Sequence, residues 1–361
     1  MAGIFLYHVW SVVPASGNEN PFGPVFGLVI SQGYLGVIVF NMITGFVLSL
    51  PHLPPQGRPA MSYPDFFRRR FGRICPQYYL SLALWSAAAF AAGAMPAGAL
   101  FVSLAEHAFF VQTFDPGRFF SLVPAFWWMG LLAQFYLLFP VVLRAMLRFG
   151  PGRTLLCVCL LCWGGWRVMS ILVGVFPHGP LPMVEYMMSF NIPGRLPEFV
   201  LGMFLAAVWK ANAARPGALA RLNPETGLPR VFIWAAPLLA IVLIAAACLY
   251  KNALPAPLDL MLLTAACLGT GLALFSQPFL ARLGRTPRAA AWAAASYSFY
   301  LLHQPLLDYG VKALGERFSP FTAFCLLSLV CAPLASLMAR LQDRLTARIL
   351  RPSSPAAQAR Q

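Results

Sequence analysis

The residues most suited to chemistry in this chain begin with His8, which lies in a strongly apolar stretch about five residues before its polar end. At a helical rise of about 1.5 Å per residue that is roughly 7 Å below the boundary. A neutral imidazole there can take a proton from a hydroxyl near neutral pH; a histidine that hydrogen-bonds a neighbouring helix is the other reading of the position. Much later in the chain Ser296, Tyr300 and His303 share one helical face, with Gln304 and Asp308 on the adjoining stripe. His303 sits at a depth similar to that of His8, so the two rings could face one polar cavity. Ionisable groups at such depth in an apolar bundle mark function by default.

Two further constellations involve arginine. Arg70 and Arg73 are three apart in the run Phe66-Phe67-Arg68-Arg69-Arg70-Phe71-Gly72-Arg73 and share a helical face. Guanidinium forks suit phosphate oxygens, and they equally grip lipid headgroups as a plain anchor. Arg195 and Glu198 are also three apart, as a structural ion pair or as the lining of a polar pocket. Cys157, Cys159 and Cys162 have no histidine or carboxylate close in sequence, so they read as small apolar residues and no metal site is expected.

The elements that must position these groups follow from composition. Of 361 residues 59% are hydrophobic and 10% charged, with a mean hydropathy of +0.70. A water-soluble domain needs more charge than that. The apolar residues come in blocks of about 20, the length that crosses a bilayer core as helix; backbone groups cannot stay unpaired in lipid, and the blocks lack the alternation of a β-barrel. The expected fold is therefore all-α, a polytopic integral membrane helical bundle of about ten transmembrane helices. Spans are predicted at residues 31–50, 74–94, 122–143, 155–176, 196–210, 231–250, 258–277, 290–309 and 321–341, with an interfacial or re-entrant helix at 100–114. The first stretch, to Val13, is too short to cross and reads as the second half of a helix whose beginning precedes Met1. One transmembrane domain is expected over residues 1–345, followed by a basic tail at 346–361.

The net charge of +15 fixes orientation rather than a nucleic-acid partner, since the basic residues fall in short groups between apolar blocks. Every second connection is basic, starting with Arg58 to Arg73, and the tail carries Arg351 and Arg360. These ends should face the cytoplasm. The expectation is a multi-pass protein of the cell membrane, the bacterial inner membrane, with a cytoplasmic C-terminus.

Six separated segments, in order, resemble membrane acyltransferase family 3. They are His8; Gly36 to Phe46; Arg70-Phe71-Gly72-Arg73-Ile74-Cys75-Pro76; Trp127 to Pro140, with Gln134 and Tyr136; Arg195-Leu196-Pro197-Glu198-Phe199-Val200-Leu201-Gly202-Met203; and Ser296 to His303. The resemblance implies an integral-membrane enzyme that moves an acyl group, often acetyl, from acyl-CoA to a carbohydrate hydroxyl of an extracytoplasmic glycan or polysaccharide. It implies His8 as the essential histidine and Arg70 and Arg73 as the pair on which acyl-CoA docks. With it, Glu198, His303 and Tyr300 join His8 as candidate catalytic residues. Trp127, Gln134, Tyr136, Arg195 and Ser296 become candidate substrate contacts. Tyr300, His303 or Gln134 would polarise the thioester carbonyl. No bound cofactor is expected; acetyl-CoA is the co-substrate, and the partners are the lipid bilayer and the glycan acceptor. The chain departs from the family pattern at Ile38 and Leu132, where many members carry acids, and the family's arginine eleven residues before the histidine would fall ahead of Met1. A non-catalytic relative, or a membrane protein of glycan translocation or assembly, are the alternative readings.

Overall fold

The computed structural model describes residues 2–12, 35–54, 62–165, 190–213, 230–249, 277–284, 286–314 and 317–349, with single positions at 27, 30, 33, 168, 265, 266, 269, 272 and 273. Among the described residues there are helices and no strand. In chain order they are α1 (Ala2–Val12), α2 (Leu35–Ser49), α3 (Tyr63–Ala91), α4 (Ala97–Ala108), α5 (Trp127–Phe149), α6 (Pro151–Cys159), α7 (Ile192–Ala213), α8 (Phe232–Leu249), α9 (Pro278–Gly284), α10 (Pro287–Leu314) and α11 (Pro320–Ile349). Among the described residues three helical segments are long and apolar enough to cross a membrane, Pro124–Phe149, Ile192–Ala211 and Phe321–Leu345. The span expected at 258–277 lies largely outside the described residues, as do the arginines of the C-terminal tail.

Local chemistry sets the helix ends. Ser62 caps α3, its hydroxyl accepting the Asp65 N–H, with Pro64 and Asp65 in the first turn. This start lies well before residue 74, so Arg68, Arg69, Arg70 and Arg73 ride on the helix rather than in the loop expected from charge. At its other end α3 stops on Gly93, at φ +60°, with the Ala94 N–H returning to the Ala89 carbonyl. α4 stops in the same way on a phenylalanine. Phe110 takes φ +60°, its N–H bonding the His107 carbonyl and the Val111 N–H the Glu106 carbonyl. A left-handed residue other than glycine costs about 1–2 kcal/mol; the Phe110 ring offsets that cost by stacking on Tyr78 at 5.1 Å and meeting Phe71 edge-on at 5.8 Å.

α4 doubles back along α3. The Tyr78 hydroxyl donates to the His107 carbonyl and the Tyr79 hydroxyl to that of Ala108. At about 1.5 Å per residue this 12-residue helix is about 18 Å long, too short for a bilayer core. The segment that follows is pinned by Arg118, which donates to Glu106 at 2.7 and 3.0 Å and pairs with Asp115. The hydrogen bond to Glu106, with the charge of both carboxylates, holds the Arg118 guanidinium above its ordinary pKa. Pro124 then opens a 3-10 turn over Pro124–Phe126, so α5 begins at Trp127, later than expected, and runs on to Phe149.

α3 and α10 run parallel, since Tyr297 donates to the Ile74 carbonyl and, further along both, the Trp85 indole donates to that of Leu301. The second bond has a cause in the sequence. Pro305 lacks the N–H that would bind the Leu301 carbonyl four residues back, and Trp85 satisfies it instead. α11 returns antiparallel: Asp343 accepts from Ser298 of α10 at 2.5 Å and from Gln77 of α3 at 2.6 Å. α1 lies against α10 through Phe5 and Phe299, at 5.6 Å. The outside is apolar, with Trp234, Leu161, Leu329 and Phe101 exposed, while Asn41, Glu198, His107, Gln112 and His303 are buried. A water-soluble protein has the reverse arrangement.

Candidate active site

A close approach of two helices positions the first part of the site. A Cβ on Gly45 of α2 would stand 2.0 Å from the Phe199 carbonyl oxygen, and one on Gly202 of α7 would stand 1.9 Å from that of Met42. Only glycine lets these backbones meet. One turn from Gly45, Asn41 is fully buried, and its amide donates to Glu198 Oε2 at 2.6 Å. The other oxygen of Glu198, also fully buried, accepts from Arg195 at 2.8 Å. The carboxylate is thus neutralised by a guanidinium one helical turn away on α7 and fixed by an amide from α2. Asn41 completes its own bonding by accepting the Trp128 indole N–H at 2.8 Å.

Trp128 carries the network to the other half of the bundle. Its ring meets Tyr300 of α10 edge-on at 5.5 Å. The Tyr300 hydroxyl donates to the Ala125 carbonyl in the turn before α5. Tyr300 is 6.0 Å from the His303 ring on the same helix. His303 is fully buried. Its Nδ1 lies 2.8 Å from the Tyr300 carbonyl and 3.2 Å from that of Phe299. A carbonyl only accepts, so Nδ1 bears the proton and Nε2 the lone pair in the neutral ring. Among the described residues that Nε2 has no hydrogen-bond partner. The His8 ring of α1 stands 5.2 Å from it, centroid to centroid, tilted by 52°. Phe5 and Phe299 line the same space, the latter stacked on His303 at 5.7 Å.

The structure therefore brings together His8, His303, Tyr300, Glu198 and Arg195, from α1, α10 and α7. It joins them through Asn41 and Trp128, to which the sequence alone assigned no role. Asn41 was legible only as a polar residue inside an otherwise apolar helix. Trp128 carried no distinguishing signal beside Trp127. Trp127 itself packs on Phe190 at 5.2 Å and Phe119 at 6.1 Å, apart from this network. Gln134 is committed elsewhere too. Its amide donates to Thr113 at 2.9 Å and Asn191 at 2.7 Å, and its carbonyl accepts the first N–H of α7, from Ile192, at 3.1 Å. That set of bonds ties the start of α7 to the middle of α5. With both donors used, Gln134 has none to spare for a thioester carbonyl in this arrangement. Ser296 is half-buried one turn before Tyr300.

Arg70 and Arg73 stand at the far end. Arg70 is half-buried, its guanidinium 5.9 Å over the Phe66 ring, and Arg73 is exposed. Tyr136 is buried beside them, edge-on to Phe66 and Phe71. Ser298 and Gln77 meet at Asp343. From Arg70 to Gln77 and on from Ser298 to His303 is twelve residues of parallel helix, about 18 Å. The departures Ile38 and Leu132 are both buried among apolar neighbours. Among the described residues no group of three or more histidines, cysteines or carboxylates is placed to hold a metal.

A family model described as an acyltransferase domain covers residues 1–340. No curated protein and no solved structure matches.

Proposed function

Because this chain belongs to acyltransferase family 3, we propose that it moves an acetyl group from acetyl-CoA to a hydroxyl of an extracytoplasmic glycan. In this reading it does so as a bundle of about ten spans in the bacterial inner membrane, with its C-terminus in the cytoplasm. The observation that carries the proposal is the separation of two unlike sites along one pair of parallel helices. Arg70 and Arg73 lie towards one end, and the His8–His303 pair lies about 18 Å further on. A molecule with phosphates at one end and a reactive carbonyl at the other, joined by a thin arm, fits that layout. The arginine forks would take the phosphates. The apolar surface and buried polar interior support a lipid surrounding.

His8 acts as general base. The acceptor hydroxyl gives its proton to a neutral nitrogen of His8 as its oxygen attacks the thioester carbonyl carbon. When the tetrahedral intermediate collapses, the C–S bond breaks, the ester remains on the glycan, and the His8 imidazolium returns the proton to the CoA sulfur. Glu198 serves this chemistry at one remove. It holds Asn41 and Arg195, and through Asn41 the Trp128 indole that packs on Tyr300.

The test is release of CoA from acetyl-CoA by the full chain in liposomes supplied with membrane glycans, read with a thiol reagent alongside transfer of labelled acetyl. His8→Gln keeps a polar side chain but no base. It should lose about 10²–10⁴ of the rate while still inserting into membranes. A His8→Gln protein that transfers acetyl near the wild-type rate would overturn the assignment.

A further inference from the structure

His303 is placed as a partner for His8 rather than as a second acid or base, and the donor–acceptor arithmetic of its ring shows why. Its one proton in the neutral state is on Nδ1, held by the carbonyls of Tyr300 and Phe299. It therefore has no N–H to offer a developing oxyanion. What remains is the Nε2 lone pair, fully buried and unpaired. An acceptor left unpaired in that setting is costly and asks for a donor. Among the rings within reach, Phe5 and Phe299 have no polar atom, and the Tyr300 hydroxyl is already given to Ala125. His8 remains, with centroids 5.2 Å apart. At that separation nitrogens turned towards each other fall within about 3 Å, hydrogen-bond distance.

We propose that His303 is the positioning residue for His8, its Nε2 accepting an N–H from the His8 ring so that the other nitrogen of His8 is held lone pair outwards as the base. The pair works as a base and its orienter do in hydrolytic triads, with a neutral imidazole in the place usually taken by a carboxylate. The 52° tilt between the rings is closed by rotating His8 about its Cβ–Cγ bond, while His303 stays held by its two carbonyls. This deepens the acylation reading and rests on it for the chemistry, though the hydrogen bond itself does not.

Two measurements on the full chain in phosphatidylethanolamine–phosphatidylglycerol bilayers test it. The first is a ring-nitrogen NMR spectrum of ¹⁵N-histidine-labelled protein; with five histidines in the chain, His303 is assigned by difference against His303→Leu. The proton is expected on Nδ1 of His303, with a His8 N–H resonance that shifts when leucine removes the acceptor. A proton on Nε2 of His303, or a His8 resonance indifferent to His303→Leu, overturns the pairing. The second is turnover. His303→Leu should lower kcat for CoA release about 10²-fold, as misorienting a catalytic group does, with KM for acetyl-CoA unchanged. His303→Gln, whose carbonyl can stand near the site of Nε2, should restore most of it. If His303→Gln is as slow as His303→Leu, or if the loss appears in KM, His303 does not position the base. If the wild-type chain releases no CoA, the acylation reading fails, and the spectrum still decides whether the two rings are paired.

Discussion

Adding one methyl group at Gly202 should disable the site from a distance, and the geometry says by how much. A Cβ there would lie 1.9 Å from the Met42 carbonyl oxygen, against an ordinary contact of at least 3.4 Å. The obstacle is backbone, so no side-chain rotation relieves it, and α2 and α7 must separate by about 1.5 Å at that point. The Asn41–Glu198 hydrogen bond, now 2.6 Å, would open beyond any useful length. Overpacking of this kind costs about 1–3 kcal/mol, and losing a hydrogen bond to a buried carboxylate costs about 1.5–3 kcal/mol more. Gly202→Ala should therefore lower stability by about 2.5–6 kcal/mol, and acetyl transfer should fall with it as Trp128 loses its anchor. Gly72→Ala is the control. Its Cβ meets nothing within 4 Å, and replacing a mid-helix glycine there should stabilise by about 0.5–1 kcal/mol. Unfolding in detergent, followed by tryptophan fluorescence, compares the two. If Gly202→Ala unfolds like the wild type, close approach of α2 and α7 is not what holds Asn41 on Glu198.

Replacing both Arg70 and Arg73 by alanine should raise KM for acetyl-CoA at least tenfold while leaving glycan binding unchanged; equal affinity for CoA in the double variant would return the pair to a lipid-anchoring role. Trp85→Phe keeps the ring but withdraws the donor from the Leu301 carbonyl that Pro305 leaves open, so thermal unfolding should reveal a loss of about 1–3 kcal/mol; no change would mean that another group satisfies that carbonyl. A reporter fused after Gln361 should be active only when it folds in the cytoplasm, because the last basic group follows α11; activity of a periplasm-specific reporter there would invert the topology.

How much of this was legible in the sequence depends on the kind of signal. Helices were readable from uniform apolar runs, and the i, i+3 and i, i+4 spacings rightly placed Arg195 with Glu198 and Tyr300 with His303. Helix starts were less legible wherever polar residues continue an apolar helix. The arginines of α3 suggested a loop, yet Ser62, Pro64 and Asp65 form an ordinary capped start ahead of them. The turn at Pro124 delayed α5 against expectation. Long-range pairing was not legible. Nothing in the sequence says that Asn41 reaches across 157 positions to Glu198, or that Gln77 and Ser298 share Asp343. Such bonds depend on helix rotation, which a nearly uniform apolar helix such as α2 does not encode in its pattern. The close glycines that set that rotation, Gly45 and Gly202, were visible as motif residues but not as a contact.

The hydrogen bonding of the site separates side chains whose polar atoms are all committed from one that keeps an atom in reserve. Glu198 has a partner on each oxygen, Asn41 gives and accepts, Gln134 uses both amide hydrogens and its carbonyl, and the Tyr300 hydroxyl is donated to Ala125. Groups bonded in this way are rigid, and disturbing one leaves another unsatisfied in a low-dielectric interior. Nε2 of His303 is different, buried and without a partner among the described residues, with the His8 ring centred 5.2 Å from its own. On the other side of the Pro124–Phe126 turn the pattern recurs. His107 Nδ1 bonds the Ser103 carbonyl at 2.8 Å and Gln112 donates to the Phe126 carbonyl, while among the described residues His107 Nε2 and the Gln112 oxygen have no partner. Two consecutive carbonyls of one short turn, those of Ala125 and Phe126, thus accept from α10 on one hand and from the segment after α4 on the other. Each side also carries a buried imidazole whose Nδ1 is given to a backbone carbonyl. Since α4 ends part-way along α3, at Tyr78 and Tyr79, that turn lies in the interior of the bundle rather than at its end. A turn is costly to bury because its backbone groups need partners. Here those partners are the Tyr300 hydroxyl and the Gln112 amide.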